Sequence, residues 1–460
     1  MKVMIFTFSN TTNWWRFVAS RLRFATETVL VSDLNDADID ISPAFHSHMA
    51  RPGIDRVALD ALGEEECRQV IARCRLLRTL EHGVALRMIG AMWRTIEDLL
   101  DAERPSLFLC FVVDRYILDL FDRALSTRGV RYIGLAIGIL PDTFMFMARG
   151  EYLVVREPPD LEVEAAVATL SEPHFVPNYV AQSDYGLIQF LRRYAHFTAR
   201  WIAFEVLRVV RRRPYDYRYL SARSAASGFR VRLRDWRLMT YFGRNWRRTL
   251  ETAPPDKRVF VALSVNPEAA IEYWLRDLAM VDYPAVLERL VRVLGDAGYR
   301  LFVKDHPSQF GFRQVELFNV LARNDAVTFV PYDVPGQWLV DHCHATFTWT
   351  GTIGFQAAMS GRCAVVSSDA YYFVDRLFVG VATFADIDDL PRRIFGFRPG
   401  LPLAEARRAL TRHILRSTMP GAYLSWRRFS PSDPELVRQA QTIVDSLNRY
   451  LPLLAGGTAA

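Results

Sequence analysis

The stretch that decides the fold is RVFVALSVNPE at positions 258–268, continued by YRLFVKDHPS at 299–308 and ATFTWTGTIGFQAA at 345–358. Each segment begins with an apolar run of buried-strand length and then changes to Gly, Pro, Thr or charged residues. Segments with helical character separate them, at Pro284 to Leu294, Gln314 to Leu321, Val334 to Asp341 and Ile353 to Ser360. This alternation predicts a parallel sheet covered by helices, with further strands at 327–330 and 364–367.

The N-terminal part of the chain alternates in a similar way. Its predicted strands are the apolar runs at Lys2 to Phe8, Thr28 to Val31, Leu107 to Val113 and Arg131 to Leu135. Its predicted helices are Trp14 to Phe24 after the capping residues Thr11 and Thr12, Glu64 to Leu100 divided near Gly83, and Phe121 to Ser126. The tail is predicted to end in a helix capped by Asp433, with Pro434 in its first turn.

These elements predict an α/β protein with two Rossmann-like domains that face a cleft. The first Rossmann-like domain spans 1–185, and the second spans 254–395. A helical connector rich in arginine and aromatic residues joins them at 186–253, and C-terminal helices follow at 396–460. Because such sheets bind ligands beyond the carboxyl ends of their strands, functional residues are expected just after strands.

Composition indicates an ordinary globular protein. The chain has 460 residues, of which 50% are hydrophobic and 23% charged, enough for two or three domains and excluding a disordered or disulfide-stapled chain. Its five cysteines form no CxxC pair, which favours a reducing cytosol. We see no apolar run of the roughly 20 residues that a membrane span needs and no signal peptide. We therefore expect a cytoplasmic protein.

The net charge of +6 is unevenly distributed, because one segment of the chain is strongly basic. Between Arg192 and Arg248, sixteen arginines stand against three acids, interleaved with Trp, Tyr and Phe. Two interpretations remain open: a solvated helix pair that joins the domains, and a segment peripheral on the anionic surface of the inner membrane. Because no RNA- or DNA-binding motif accompanies the arginines, we expect no nucleic-acid partner.

A first polar cluster follows the predicted strand at 299–303. Lys304 and His306 offer donors to a phosphate oxygen, and Pro307 ends the strand so that His306 projects at its rim. The structural alternative is a surface turn in which His306 bonds to the backbone.

Two more clusters follow strands of the same domain. Thr350, Gly351 and Thr352 precede an apolar helix whose free N–H groups and dipole favour an anion. Glu268 lies in the first turn of another helix. The structural alternatives are a glycine turn with a threonine cap, and an acid that is favoured near any helix start. The shared position of all three clusters, at one end of one sheet, favours a phosphate-bearing ligand.

The order of these motifs resembles a known family. PE after one strand, K-[DE]-HP after another and T-G-T-x-G-x-[EQ]-A before a third are similar to bacterial capsule and surface-polysaccharide biosynthesis proteins, over roughly Val259 to Phe373. The resemblance implies a GT-B glycosyltransferase, from a group that includes Kdo transferases using a CMP-activated sugar. It also implies that domain 1–185 binds the acceptor and that domain 254–395 binds the nucleotide-sugar. The nucleotide-sugar-binding residues that it implies are Lys304, His306, Pro307, Thr350, Gly351, Thr352 and Gly354. Ser264 stands where the family has His, and Gln356 where an acid is common.

The implied reaction moves a glycosyl group from a nucleotide to the hydroxyl of a saccharide or lipid-linked saccharide acceptor. The nucleotide-sugar is a co-substrate, and we expect neither a further cofactor nor a metal. The catalytic candidates are Asp114, Glu268 and His306. We choose Asp114 as the carboxylate that deprotonates the acceptor, or attacks the donor if configuration is retained, because it follows a strand. Its structural alternative is an ion pair with Arg115; Asp142 and Glu151 are the other carboxylates considered.

Other functions remain open at this point. A UDP-sugar 2-epimerase shares the architecture, and a glycerol- or ribitol-phosphate polymerising transferase is a further enzymatic alternative. A catalytically inactive polysaccharide-assembly partner is kept open by Gln356.

Three sequence patterns imitate metal sites. The DxD spellings at Asp36 to Asp40 and at Asp386 to Asp388 are interpreted as polar turns or helix starts. The side chains of His342, Cys343 and His344 cannot share one face, so we predict no metal site there.

Overall fold

The computed structural model describes residues 1–8, 10–172, 175, 177, 184–223, 230–243 and 245–455. Contacts divide the chain into two compact units. The first unit combines Met1–Pro158 with Ile414–Ala460, and the second unit is Pro159–His413. Each unit contains one sheet and is described by itself.

The N-terminal part of the first unit contributes six strands and six helices of the described chain. Its strands are β1 (Lys2–Thr7), β2 (Glu27–Ser32), β3 (Ile39–Asp40), β4 (Leu107–Phe111), β5 (Arg131–Ile137) and β6 (Thr143–Phe146). Its helices are α1 (Thr12–Ala19), α2 (Ser42–Ala50), α3 (Arg56–Leu62), α4 (Glu64–Arg73), α5 (His82–Glu103) and α6 (Tyr116–Thr127).

The second unit begins with helices and continues as alternating strands and helices. Its strands are β7 (Arg258–Ala262), β8 (Arg300–Lys304), β9 (Val327–Val330), β10 (Ala345–Phe347), β11 (Cys363–Ser367) and β12 (Val379–Val381). The helices before β7 are α7 (Asp160–Leu170), α8 (Leu187–Val210), α9 (Tyr217–Ser221) and α10 (Trp246–Thr252). Those after it are α11 (Ala269–Glu272), α12 (Tyr283–Asp296), α13 (Val315–Leu321), α14 (Gly336–His342), α15 (Thr352–Met359), α16 (Phe384–Asp388), α17 (Leu390–Gly396) and α18 (Leu403–Ser417).

The C-terminal residues return to the first unit. Strand β13 (Thr418–Pro420) pairs antiparallel with β6, and α19 (Pro434–Ala455) follows a 3₁₀ turn at Tyr423–Arg428. The predicted cap is confirmed, since the Asp433 carboxylate accepts hydrogen bonds from the N–H groups of Glu435 and Leu436.

Both sheets have the Rossmann order. In the second unit the order is β12-β11-β10-β7-β8-β9, with every pair parallel. In the first unit it is β13-β6-β5-β4-β1-β2-β3, in which β6 and β13 add an antiparallel edge to a parallel sheet. The predicted class, α/β with two Rossmann-like sheets, is confirmed. A switch point lies between β1 and β4 in one sheet and between β7 and β10 in the other.

The compact units end at other residues than the predicted domains. The first unit ends at Pro158 rather than near 185, and the second extends from Pro159 across the predicted connector. The predicted C-terminal segment 396–460 is divided, because the unit boundary falls inside α18 and the residues beyond it complete the first sheet and its core. In that core, Ile443, Val444 and Leu447 of α19 join Ile5 and Leu109.

Two helices of the first unit differ from the sequence prediction. Helix α1 stops at Ala19 rather than Phe24, and Thr11 is its N-cap residue, although the Thr11 hydroxyl bonds to Phe8 and not to the helix. The long helical segment is interrupted between Arg73 and His82, and Gly83 lies in the first turn of α5 instead of dividing the helices.

Among the described residues, we find no helix with both the length and the apolar character needed to cross a membrane.

Candidate functional site

Three loops of the second unit meet at the carboxyl edge of its sheet. The loop after β7 lies between those after β8 and β10, since β7 pairs with both strands in parallel register. With neighbouring strands about 4.8 Å apart, the ends of β8 and β10 are separated by roughly 10 Å. His306 and Gly351, predicted to share a rim, therefore lie at the same edge, beside the switch point.

A buried ion pair ties two of these loops together. Arg313 lies 2.8 Å from the Asp305 carboxylate and donates a 2.6 Å hydrogen bond to the carbonyl of Ser264. Both charged side chains are buried. The same carboxylate accepts hydrogen bonds from the His306 N–H, at 2.8 Å, and from the Tyr332 hydroxyl, at 2.5 Å. Asp305 thus fixes the loop after β8 against those after β7 and β9.

Lys304 is a second buried cation at this edge. Its side chain is 6% exposed, and its Nζ donates a hydrogen bond, 3.4 Å long, to the carbonyl of Asp305. Burial lowers the pKa of Lys304 to about 8, despite the opposing charges of Asp305 and Asp333. No carboxylate of the described residues is within ion-pairing distance of Nζ. Lys304 and Arg313 are thus both buried at this edge, and the Asp305 carboxylate is paired with Arg313.

One ring nitrogen of His306 bonds to the backbone, as the structural alternative predicts. His306 caps the 3₁₀ turn Pro307–Gln309, and its Nδ1 accepts a hydrogen bond from the Ser308 N–H at 3.2 Å. Burial and the nearby charges of Arg313 and Lys304 lower the pKa of His306 to about 4. The ring is therefore neutral at pH 7, and with Nδ1 accepting, Nε2 carries the proton and is a donor.

The loop after β10 leads directly into α15. Gly351 is the N-cap residue of this helix, and no side chain caps it, so the structural alternative of a threonine cap is wrong. The Gly351 carbonyl accepts a hydrogen bond from the Tyr372 hydroxyl at 2.7 Å. Thr350 is buried at this edge, and Thr352 is partly exposed. The hydroxyls of both threonines and the first N–H groups of α15 could bind an anion.

Gly354 has a packing role. A Cβ there would lie 2.6 Å from Val366 Cγ1 and 2.9 Å from Thr348 Cγ2. This glycine lets α15 approach the sheet closely, which explains its presence without any ligand.

The loop after β7 contributes a carboxylate. Glu268 is exposed and is the N-cap residue of α11, where its side chain makes no capping hydrogen bond. Ser264, which replaces the histidine of the resembling family, is buried, and its hydroxyl has no hydrogen-bond partner among the described residues.

Asp114 lies at the corresponding edge of the first unit. Arg115 binds both of its carboxylate oxygens, at 2.8 and 3.2 Å, as the structural alternative predicts. Although burial acts to raise it, the pKa of Asp114 lies below its ordinary value, because the charges of Arg115 and Arg75 outweigh burial. About a third of the side chain is exposed, so the carboxylate remains open to solvent on one side.

The other candidate carboxylates have structural roles. Glu151 accepts the N–H groups of Ala148 and Arg149 and so closes a turn. Asp386 forms a capping box with Thr383, which confirms its interpretation as a helix start. Asp38 of the other DxD spelling accepts the Leu30 N–H at 3.0 Å and pairs with Arg16.

The metal-like histidine pattern is also structural. His342 stacks on Trp338 and bonds to its carbonyl, while Cys343 is buried. Over the described ranges, no group of three or more His, Cys, Asp or Glu side chains has the arrangement of a metal site.

Sequence reasoning missed the residues that organise the edge. Arg313 and Tyr332 are separated in the chain from Lys304 by helices and turns, and no motif spacing marks them. Asp305 stands between Lys304 and His306 in the sequence. An acid between two basic residues could have indicated that it pairs with a buried cation.

Residues 279–377 match the family described as "Capsule polysaccharide biosynthesis protein". This segment of the second unit is similar to that family. The match includes Lys304, His306, Thr350 and Gly354, and the resemblance inferred from the sequence is confirmed for this segment. Glu268 lies before the matched residues.

No curated protein matches the chain. Among solved structures, two KpsC β-Kdo transferases from Thermosulfurimonas dismutans are similar at 12% identity. For the 2,7 transferase, the TM-score is 0.34, and the similarity covers 76% of this chain and 89% of the transferase. For the 2,4 transferase, the TM-score is 0.37, and the similarity covers 75% of this chain and 88% of the transferase. The UDP-GlcNAc 2-epimerase of Methanocaldococcus jannaschii has 10% identity and a TM-score of 0.27, and the similarity covers 90% of this chain and 99% of the epimerase. TM-scores below 0.5 do not demonstrate a common fold.

Proposed function

We propose that this protein is a glycosyltransferase of capsular or surface polysaccharide synthesis, which takes its sugar from a nucleotide-sugar. The donor binds at the carboxyl edge of the second unit's sheet, beside the switch point between β7 and β10. The acceptor is a saccharide or a lipid-linked saccharide. Kdo carried by CMP is the donor that we test first, followed by other nucleotide-sugars.

The buried charge of Lys304 carries this proposal. Lys304 is buried without an anion of its own, since Asp305 is already paired with Arg313. An unpaired buried charge is costly, so a site of this kind is completed by an anionic ligand. Nε2–H of His306 and the N-terminus of α15 provide further donors at the same edge. A nucleotide phosphate supplies the matching charge.

In the proposed reaction, the oxygen of an acceptor hydroxyl attacks the anomeric carbon of the donor. The bond between that carbon and the phosphate oxygen breaks, and its electron pair leaves with the nucleotide phosphate. Lys304 and His306 stabilise the negative charge that develops on this leaving group. Because the pKa of His306 is about 4, the ring acts as a neutral hydrogen-bond donor. It therefore does not supply a proton from an imidazolium.

A carboxylate accepts the proton of the acceptor hydroxyl. Glu268 is exposed at the same edge as Lys304 and His306, while Asp114 lies at the edge of the other sheet and is held by Arg115. General bases contribute typically 10²–10⁴-fold to a rate. We expect that one of the variants Glu268→Gln and Asp114→Asn loses transfer by about a hundredfold while both still bind donor.

Binding of the nucleotide is tested first. The full chain is screened by thermal shift against CMP-, UDP-, GDP- and dTDP-sugars, and hits are measured by calorimetry. A ligand at about a hundred times its Kd stabilises the folded protein by ~2.7 kcal/mol. Lys304→Met is expected to weaken binding at least tenfold.

Lys257→Met is the matched control. Like Lys304, Lys257 donates a 3.4 Å hydrogen bond to a backbone carbonyl and lies near a tyrosine ring, but it precedes β7 at the opposite edge. Equal losses in the two variants would contradict the assigned site.

The products then distinguish the enzymatic alternatives. Release of free nucleotide that depends on an acceptor supports transfer, whereas reversible interconversion of a UDP-sugar identifies an epimerase. Failure of every nucleotide-sugar to bind supports an inactive assembly partner. Gln356, which kept that alternative open, donates a 2.9 Å hydrogen bond to the Phe175 carbonyl, a bond that an ionised glutamate could not donate.

A further inference from the structure

Helix α8 (Leu187–Val210) has two apolar sides, one of which is covered. Its inner side carries phenylalanines seven residues apart, and each packs against its own unit. Phe190 contacts Trp236 with ring centroids 5.2 Å apart, Phe197 contacts Phe312 at 4.8 Å, and Phe204 contacts Tyr219 at 5.4 Å. These contacts hold the helix in place and fix which side faces outward.

The opposite side is an exposed apolar stripe. Seven residues spaced three or four apart, and therefore on one helix face, form this outer stripe: Ile188, Leu191, Ala195, Ala199, Ile202, Val206 and Val209. Ile188 is 67% exposed, Val206 55% and Val209 68%. A continuous apolar stripe of this length in water marks an interaction surface rather than scattered surface residues.

Basic side chains accompany the outer stripe. Arg192 and Arg200 are exposed on α8, although the Arg200 guanidinium also lies 5.0 Å from the centroid of the Phe204 ring. The exposed Arg211 and Arg212 follow the end of the helix. Glu205 is the one acid in the sequence of α8, and its carboxylate is paired with Arg208 at 2.9 Å and Arg223 at 3.1 Å. The exposed side of the helix is thus apolar along its centre and positively charged beside it.

We propose that α8 docks on an anionic phospholipid surface through its outer stripe. Apolar side chains would enter the acyl boundary, while the arginines reach lipid phosphates with their long side chains. Two copies of the helix would bring like charges together, whereas an anionic bilayer matches both the stripe and its flanks. The charge pattern therefore favours a membrane over a second copy of the chain.

Vesicle flotation of the full chain tests this proposal. We expect binding to phosphatidylcholine vesicles that contain about 30% phosphatidylglycerol at low salt, and much weaker binding to pure phosphatidylcholine. High salt should weaken binding, because it screens the arginines. Arg192→Gln with Arg200→Gln should reduce partitioning by about fivefold for each arginine removed.

The double variant Ile202→Gln/Val206→Gln tests the stripe itself. Both positions are more than half exposed, so folding should be unchanged, which circular dichroism and thermal unfolding can verify. We expect this variant to lose vesicle binding. The matched control is Val57→Gln/Leu161→Gln, which removes two apolar residues elsewhere that are even more exposed, and it should bind normally.

Several outcomes would overturn the proposal. They are absence of binding to anionic vesicles at low salt, equal binding by the Ile202→Gln/Val206→Gln variant, and a concentration-dependent dimer that this variant abolishes. Binding to a homopolymeric RNA in preference to vesicles would indicate a nucleic-acid surface instead. The measurement needs no nucleotide-sugar, so its result is independent of the proposed transferase activity.

Discussion

The two sheets share the same strand order, but different kinds of side chain occupy their carboxyl edges. In the first unit, Phe111 at the end of β4 is surrounded by the rings of Phe8, Trp14, Trp15, Tyr423 and Trp426, with centroids 5.4 to 6.2 Å away. In the second unit, Lys304, Asp305 and Arg313 are buried at the edge. Strand order therefore provides the position of a site, and the side chains decide whether it is packed or polar.

The charges at the two edges differ in a way that matters for binding. Asp114 and Arg115 of the first unit form a neutral pair that remains partly exposed. At the edge of the second sheet, Asp305 pairs with Arg313, while the buried Lys304 hydrogen-bonds to a backbone carbonyl. A packed aromatic edge contributes stability, whereas an edge that buries a lysine without an ion-pair partner favours the binding of an anion.

The largest effect should come from breaking the aromatic edge. Phe111→Ala is expected to destabilise the protein by about 4 kcal/mol, because it removes a buried ring from the centre of the cluster. Urea unfolding followed by tryptophan fluorescence measures the loss. Phe395→Ala, at a ring that is 71% exposed, should change stability by less than about 0.5 kcal/mol. If nucleotide affinity also falls in folded Phe111→Ala protein, the division of roles between the two edges is wrong.

Removing the anion from the polar edge should have the next largest effect. Asp305→Ala leaves Arg313 buried and unpaired, so we expect a loss of about 3 kcal/mol in unfolding free energy. Adding Arg313→Met should restore much of that stability, since the uncompensated charge is then gone. Asp389→Ala, which breaks the exposed pair with Arg392, is the control and should have a much smaller effect. Failure of the second substitution to rescue would contradict a buried ion pair.

The charge on Lys304 predicts a dependence of binding on pH. The pKa of Lys304 is about 8, so its charged fraction falls as the pH rises through that value, and donor affinity should fall by up to about tenfold per further pH unit. His306 protonates only near its pKa of about 4, so affinity should be level between about pH 5 and 7. Calorimetry across this range measures both. An identical alkaline decrease in Lys304→Met would assign the effect to another group.

The smallest effect concerns a carboxylate that caps a helix. Asp386→Ala removes half of a capping box and should cost about 1 kcal/mol, with transfer per folded molecule unchanged. Thermal unfolding and an activity assay are sufficient. Loss of transfer in well-folded protein would show that this DxD spelling does more than start a helix.

Much of the second sheet could be predicted because its signals are local. Apolar runs of four to seven residues followed by Gly, Pro or charged residues mark β7, β8 and β10, and the ends of these strands locate Lys304, His306 and Gly351. The C-terminal helix was equally accessible, since Asp433 and Pro434 are strong start signals.

The rest depends on contacts between distant residues. Strand β13 has three residues, too few for a periodicity, and it exists because β6 offers a free edge. The pairing of Asp305 with Arg313 and the burial of Lys304 arise only when loops from three strands meet. Likewise, the sequence shows arginines interleaved with aromatic residues between Arg192 and Arg248, but only the packing of Phe190, Phe197 and Phe204 shows which side of α8 is outward.

The split of the first unit has a consequence for how this chain is made. Its β6 edge and the apolar surface that receives α19 are synthesised long before residues 418–455 leave the ribosome. During that interval the second unit, which is continuous in sequence, already has all of its strands and can fold first. The first sheet meanwhile has an unpaired edge strand, which can pair incorrectly with another strand. Maturation of the N-terminal half should therefore be the later event, and the step most dependent on chaperones.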